Sequence, residues 1–129
     1  MPTKQVIVIR KDLKMRRGKE IAQGAHAASM WLIKRLQRQD EECVVGEPNF
    51  TTAEYDWLDG SHTKVVVTVN SEAELEAIYN QARIECFECH MVTDAGRTEF
   101  HGVPTKTCLA IGPDHADKID KITGSLPLY

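Results

Sequence analysis

The sequence predicts an α/β layered domain on a mainly parallel sheet. Two runs, QVIVIR at 5–10 and KVVVTV at 64–69, are rich in β-branched residues and apolar at consecutive positions, the pattern of strands buried on both faces. Stretches with helical signals alternate with the strand segments, which argues for crossover connections. The last two strand segments follow one another without a helix between them, so one of that pair is expected to run antiparallel.

In chain order, the first strand leads into a basic turn from Lys11 to Arg17. Gly18 opens a long helix over 18–38, whose apolar stripe of Ile21, Ala25, Ala28, Leu32 and Leu36 has the spacing of a core-facing side. Gly24 costs about 1 kcal/mol inside a helix relative to alanine, which points either to a reason such as a close backbone approach or to an ordinary tolerated glycine. A polar connection over 39–63 holds a short helix, opened by the capping box Thr51-x-x-Glu54 and ending near Leu58, where Asp59-Gly60 stops it. After the strand at 64–69, Ser71-x-x-Glu74 is a second capping box, and its helix runs through Leu75, Ile78 and Ala82 to about Arg83. A short strand follows over 89–93, then a loop over 94–106 and a fourth strand over 107–111. Pro113 suits the first position of the last helix, and Asp114 its positive end. Gly124 ends that helix.

The chain has 129 residues, 42% hydrophobic and 27% charged, which fits one domain over 1–129 and excludes disordered and collagen-like classes. Its apolar runs fall far short of the ~20 residues of a bilayer span, and its first residues do not read as a secretory signal. A soluble, cytoplasmic protein without a membrane partner is expected. The net charge of −3 hides a segregation, because residues 1–38 carry +8 and the remainder −11. The basic segment suits a polyanion, nucleic acid first, and a solvated helix face with a basic turn is the alternative. The four cysteines are expected to be reduced in that compartment. Cys86-Phe87-Glu88-Cys89-His90 matches a haem-attachment string, but that chemistry needs export and a second axial ligand. Cys43 and Cys108 stand alone and supply no second ligand pair for zinc. No cofactor or metal is expected, and Cys89 and Cys108 read as small core residues.

Two constellations carry chemistry. On a helical wheel with Lys19 at zero, Gln23 falls at about 40°, His26 at about −20° and Lys34 at about 60°. Lys19, Gln23 and His26 thus form a polar ridge almost opposite the apolar stripe, either an ordinary solvent-facing side or a site. The second constellation, Asp94-Ala95-Gly96-Arg97-Thr98, follows the third strand directly, and ligands gather at the carboxyl ends of parallel strands. An Asx-type turn with Arg97 paired to an acid is the plain alternative. His62, His101 and His115 read as surface residues and His90 as structural. Trp31 and Trp57 read as packing or interface residues rather than base-stacking platforms. No acyl-hydrolase serine elbow, phosphate-binding loop or dinucleotide fingerprint is present.

These blocks resemble the second-class peptidyl-tRNA hydrolases, the archaeal and eukaryotic type. The resemblance rests on Arg10-Lys11-Asp12-Leu13-Lys14-Met15, Gly18-Lys19 and Gln23-x-x-His26-Ala27. It continues in Trp57-Leu58-x-Gly60-x-x-x-Lys64, Asp94 to Thr98, Leu109 to Pro113, and Ile119 to Gly124 with Leu126 and Leu128. It covers nearly the whole chain in order. It implies a three-layer α/β/α fold with a four-stranded mixed sheet. It also implies metal-independent hydrolysis of the ester joining a peptide to the 3′ ribose of tRNA, and commonly a homodimer. The site residues it implies are Lys19, Gln23, His26, Asp94, Arg97 and Thr98, with Thr105 and Thr107 nearby. Two departures stand out: the loop Gly102-Val103-Pro104-Thr105 is one residue longer, and the connection over 41–63 is long and acidic.

Ester hydrolysis requires a water, a proton acceptor and stabilisation of the oxyanion. His26 or Asp94 is the expected base, with Asp94 alternatively orienting His26. Lys19 is expected to bind a terminal phosphate or the oxyanion, and Thr98 the substrate carbonyl. Arg16, Arg17, Lys34 and Arg38 are expected to contact the tRNA backbone. The rival readings are a non-catalytic RNA- or protein-binding module on the same scaffold and a hydrolase of another ester or amide.

Overall fold

The computed structural model describes residues 2–41, 49–97 and 99–129, without the side chains of 38–41. Its elements are β1 (Thr3–Arg10), α1 (Arg17–Glu41), α2 (Thr52–Asp59), β2 (Lys64–Val69), α3 (Glu72–Ile84), β3 (Cys89–Asp94), β4 (Thr105–His115) and α4 (Ala116–Thr123). The four strands form one sheet in the order β2-β1-β4-β3. β1 and β2 are parallel, whereas β4 is antiparallel to both β1 and β3. The fold is the α/β arrangement expected, with the four-stranded mixed sheet that the family resemblance implies rather than the mainly parallel one suggested by the strand pattern alone. Two of its three pairings run antiparallel because the hairpin-like return of β4 inserts between β1 and β3. β1, β2 and β3 still point the same way, so Asp94 ends β3 at the end of the sheet where Arg10 ends β1.

Each face of the sheet carries its own core. Val6, Val8, Val67, Val69, Leu109 and Ile111 meet Leu75, Ala82, Ile119 and Ile122 of α3 and α4. Ile7, Ile9, Cys108, Ala110 and Val92 meet Met15 and Ala27 on the α1 side. The alternation follows from the side-chain period of a strand.

Both short-range helix signals hold. Thr51 Oγ1 accepts from Glu54 N–H while Glu54 Oε1 accepts from Thr51 N–H, a complete capping box. Ser71 Oγ accepts from Glu74 N–H, but Glu74 Oε2 reaches past Ser71 to the Asn70 N–H.

The orientation of α1 differs from the expected one. Gly24, Ala27 and Trp31 are the buried positions, whereas Ile21 is 66% and Leu36 45% exposed. Small residues let the helix lie close on β1 and β4, and Trp31 fills the space beside Trp57, ring centroids 6.0 Å apart. The expected apolar stripe is thereby turned out of the core by about 100°. Gly24 is not at a close backbone approach, since a Cβ there would meet only the Ile7 side chain at 3.9 Å.

The end of the chain also needs correction. Pro113 does not open the last helix; it lies within β4, joined to Gly112 by a cis peptide bond. A proline has no N–H to give a ladder, and the β1–β4 register shifts between Lys4 and Val6 in that region before pairing resumes at Lys4 with Asp114. α4 therefore begins only after His115 and ends at Gly124. The tail then runs beside β2, with Thr68 N–H donating to Pro127 O and Tyr129 N–H to Val66 O. No helix among the described residues is long and apolar enough to cross a membrane.

Candidate active site

The start of α1 and the end of β3 meet over β4. Lys19 and Gln23, one turn apart, both aim at Asp94. Lys19 Nζ is 2.6 Å from Asp94 Oδ2, and Gln23 Nε2 donates to the same oxygen at 3.2 Å. The other carboxylate oxygen accepts from Gly96 N–H at 2.7 Å. This is an Asx-type turn, permitted by Gly96 at φ 82°. Thr107, fully buried on β4, donates to Gln23 Oε1 at 2.6 Å. The Cys108 thiol donates to the Gln23 carbonyl at 3.3 Å.

These contacts hold Asp94 in its anionic form. Its carboxyl lies below the usual carboxylate value, first because of the Lys19 hydrogen bond and next because of the Gly96 N–H. Charge-assisted bonds to an ionised acceptor favour ionisation. The cluster is therefore an ion pair with a fixed amide beside it, open to solvent on one side. The side chains of Lys19 and Asp94 are 18% and 11% exposed.

The remaining expected residues divide. His26 is exposed on the same ridge, and its imidazole has no hydrogen-bond partner among the described residues, so it is not oriented by Asp94. Thr105 is half-buried at the start of β4 and donates to Val103 O. Arg97 and Lys34 are exposed, as is Arg17 at the first position of α1. Arg16, just before that helix, faces Glu99 at 3.8 Å. Arg97 makes no ion pair among the described residues. Thr98 and the acidic stretch 42–48 lie outside the described residues, and the Arg38 side chain likewise.

One polar cluster escaped the reading of the sequence. Arg35 of α1 forms a two-pronged bond with Glu54 of α2 at 2.8 and 2.9 Å, and its second nitrogen also reaches Glu88 at 2.9 Å. Glu88 in turn meets His90 Nε2 at 2.8 Å. The His90 bond leads in holding the Glu88 carboxyl down at about 2, with Arg35 assisting. The available signal was the spacing of Glu88 and His90, two residues apart and so on one face of a strand.

A model of the family described as peptidyl-tRNA hydrolase PTH2 matches residues 3–129. The chain belongs to this family. A peptidyl-tRNA hydrolase of Methanocaldococcus jannaschii is 44% identical over 125 residues, covering 97% of this chain and 98% of the relative. One of Methanothermobacter thermautotrophicus is 43% identical over 126 residues, with 97% and 98% covered. One of Haloquadratum walsbyi is 39% identical over 126 residues, with 98% and 99% covered. Membership makes the chain an enzyme, a hydrolase of the peptidyl-tRNA hydrolase family, and the resemblance read from its motifs is borne out.

Proposed function

We propose that the chain, acting as one domain over 1–129, hydrolyses the ester between a peptide and the 3′ ribose of tRNA, and so returns tRNA from stalled translation. The convergence of Lys19 and Gln23 on an ionised Asp94, with Thr107 fixing the amide from behind, is the observation that carries this reading. A water seated on Asp94 attacks the ester carbon and gives its proton to the carboxylate. The Lys19 ammonium, 2.6 Å from that carboxylate, stabilises the developing oxyanion. The proton then passes to the departing ribose oxygen, and no metal enters the scheme. Thr98 holds the substrate carbonyl, and His26 and Arg97 face the incoming 3′ end.

Arg16, Arg17, Lys34 and Arg38 supply contacts to the RNA backbone, in keeping with the +8 charge of residues 1–38. Binding then weakens as salt rises. Such a substrate places the protein in the cytoplasm. We further assign a homodimer to the outward side of α1. Ile21 and Leu36 are exposed on this helix, and Ile21 edges a groove of about 1040 Å³ lined also by Ile7, Ala28 and Val66. A ridge and a groove on one face are self-complementary about a twofold axis.

The test is release of peptide from N-blocked aminoacyl-tRNA in the presence of EDTA. Wild type turns over, Asp94→Asn loses at least about 100-fold in kcat, and His26→Ala loses much less. A His26→Ala loss equal to that of Asp94→Asn makes His26 the base. No wild-type turnover, with salt-sensitive tRNA binding intact, favours the non-catalytic module.

A further inference from the structure

A second polar cavity lies at the far end of the α1–β3 seam. It measures about 420 Å³ and is lined by Lys34 and Gln37 of α1, Arg83 of α3, the exposed Cys86, and Glu88 and His90 at the start of β3. Its one carboxylate is already compensated, because Glu88 is bonded to Arg35 and to His90. Its two exposed cations are not. Among the described residues Lys34 has no ion pair, and Arg83 lies over the Tyr79 ring at 5.7 Å without a carboxylate partner. The cavity thus presents two positive charges from two different elements, neither with an acidic partner among the described residues, around a neutralised acid.

Its position relative to the candidate active site is set by the two elements that border it. Lys34 follows Lys19 by fifteen residues along α1, which is about 22 Å at the helical rise. Glu88 precedes Asp94 by six residues in and before β3, about 20 Å in a strand. Helix and strand run side by side in opposite directions, tied by Lys19 with Asp94 at one end and Arg35 with Glu88 at the other. The α1 flank between them carries Gln23, His26, Met30 and Lys34 on one side of the wheel. Among the described residues no other strand covers β3 on its outer edge, since β3 is last in the sheet order.

We propose that this cavity is a phosphodiester subsite in which Lys34 and Arg83 hold the RNA backbone of the substrate some 20 Å from the scissile ester. The assignment rests on the proposed peptidyl-tRNA reading and adds to it Arg83, a residue of a different helix, and a distance. A cavity so far from the chemistry engages only a long RNA. It contributes to binding and is silent toward a substrate consisting of the 3′ end alone.

The experiment compares two substrates, N-blocked aminoacyl-tRNA and the same N-blocked aminoacyl ester on a CCA trinucleotide, with wild type, Arg83→Gln and Arg83→Lys. For the tRNA substrate, Arg83→Gln is expected to raise KM about tenfold with kcat held, and to lower the salt slope of binding by about one. Arg83→Lys is expected to recover most of the affinity, and the trinucleotide ester to be cleaved alike by all three. An unchanged KM for tRNA, or an equal loss on both substrates, overturns the subsite. Failure of wild type on both substrates strikes the proposed reaction instead.

Cys86 supplies an independent readout that does not depend on turnover. It is exposed at the cavity, whereas burial pushes the Cys89 and Cys108 thiols up to about 12 and about 11. With Cys43→Ser as background, alkylation by iodoacetamide reports on Cys86. Bound tRNA is expected to slow it at least fivefold, and inorganic phosphate at equal phosphate concentration to leave it unchanged. Alkylation at the same rate with and without saturating tRNA overturns the proposal, as does equal protection by phosphate, which marks a general anion site.

Discussion

Thr107 Oγ1 lies 2.6 Å from Gln23 Oε1, and the hydroxyl is the donor. That one bond decides which end of the Gln23 amide faces Asp94. With its oxygen held by Thr107, the amide presents its nitrogen to the carboxylate. Thr107→Val keeps the shape and removes the donor. A buried acceptor left unpaired costs roughly 1–3 kcal/mol, and an amide free to turn presents oxygen to an anion. The expected result is a fall in kcat of about 10- to 100-fold with the circular dichroism spectrum unchanged, while Thr107→Ser retains most activity. Steady-state kinetics of the two variants, side by side, settle whether the hydroxyl matters.

Lys19 sets the ionisation of Asp94, and the sign of its removal follows. The carboxyl is now held below its ordinary value of 3.8, chiefly by the Lys19 bond. Lys19→Met deletes that bond and its charge together, so the Asp94 pKa rises. Carbonyl-detected NMR titration of the Asp94 side chain measures it directly. In wild type the midpoint falls below 3.8; in the variant it moves upward, and the acid limb of kcat moves with it. An Asp94 midpoint that stays in place refutes the coupling.

The Arg35 cluster makes a different pH statement, about stability. Glu88 is depressed from 4.5 to about 2, with the His90 bond the largest cause. A depressed carboxylate stabilises the fold above its unfolded value and loses that contribution as pH falls through its folded value. The Glu88 contribution is thus full above about 4.5 and fades toward about 2. His90→Leu raises the folded value and narrows that window from below. Thermal unfolding should show the variant below wild type at pH 7 and the gap closing toward pH 3, so that the variant loses less Tm than wild type on acidification. Glu54, 1% exposed and bonded to both prongs of Arg35, is the stricter case. Glu54→Ala leaves the part-buried Arg35 guanidinium with Glu88 as its remaining carboxylate and is expected to cost roughly 1–3 kcal/mol.

Much of this arrangement was legible in the sequence because local signals set it. Strand runs, the Thr51 capping box and Gly124 act within a few residues of themselves. The Lys19–Gln23 ridge and Asp94 at a strand end were readable as separate features. Their meeting was not, since it depends on β4 inserting between β1 and β3. Periodicity misplaced the buried side of α1 because it weighs aliphatic size. The helix instead buries Gly24, Ala27 and Trp31, where small residues allow approach and one indole fills the remaining space. Pro113 misled for a similar reason. Its position suits a helix start, but a register shift in β1 lets it stand in a strand.

The stripe that periodicity took for core makes its own prediction. Ile21, at 66% exposed, lines the groove assigned to a second copy, and Leu36, at 45%, is exposed on the same helix. Ile21→Lys adds charge at a site already in water, so the monomer's stability should change by less than about 0.5 kcal/mol. Sedimentation equilibrium should show wild type as a dimer and Ile21→Lys shifted toward monomer. Wild type sedimenting as a monomer at high micromolar concentration eliminates the assignment.

Two glycines, finally, should respond oppositely to the same substitution. Gly24 lies inside α1 with ordinary helical backbone, and a Cβ there meets only Ile7 at 3.9 Å, a normal contact. Gly24→Ala recovers helix propensity and loses no packing, so it should stabilise by about 0.5–1 kcal/mol. Gly96 has φ 82°, and a Cβ would run into the backbone of Val103, with its nitrogen at 2.7 Å. Gly96 also gives the N–H that holds Asp94 Oδ1. Gly96→Ala must therefore either strain the turn or move Val103, and both disturb the carboxylate. Urea unfolding should give a higher midpoint for Gly24→Ala and a lower one for Gly96→Ala, with kcat preserved in the first and reduced in the second. A destabilised Gly24→Ala would mean that α1 sits closer to β1 than the 3.9 Å contact allows.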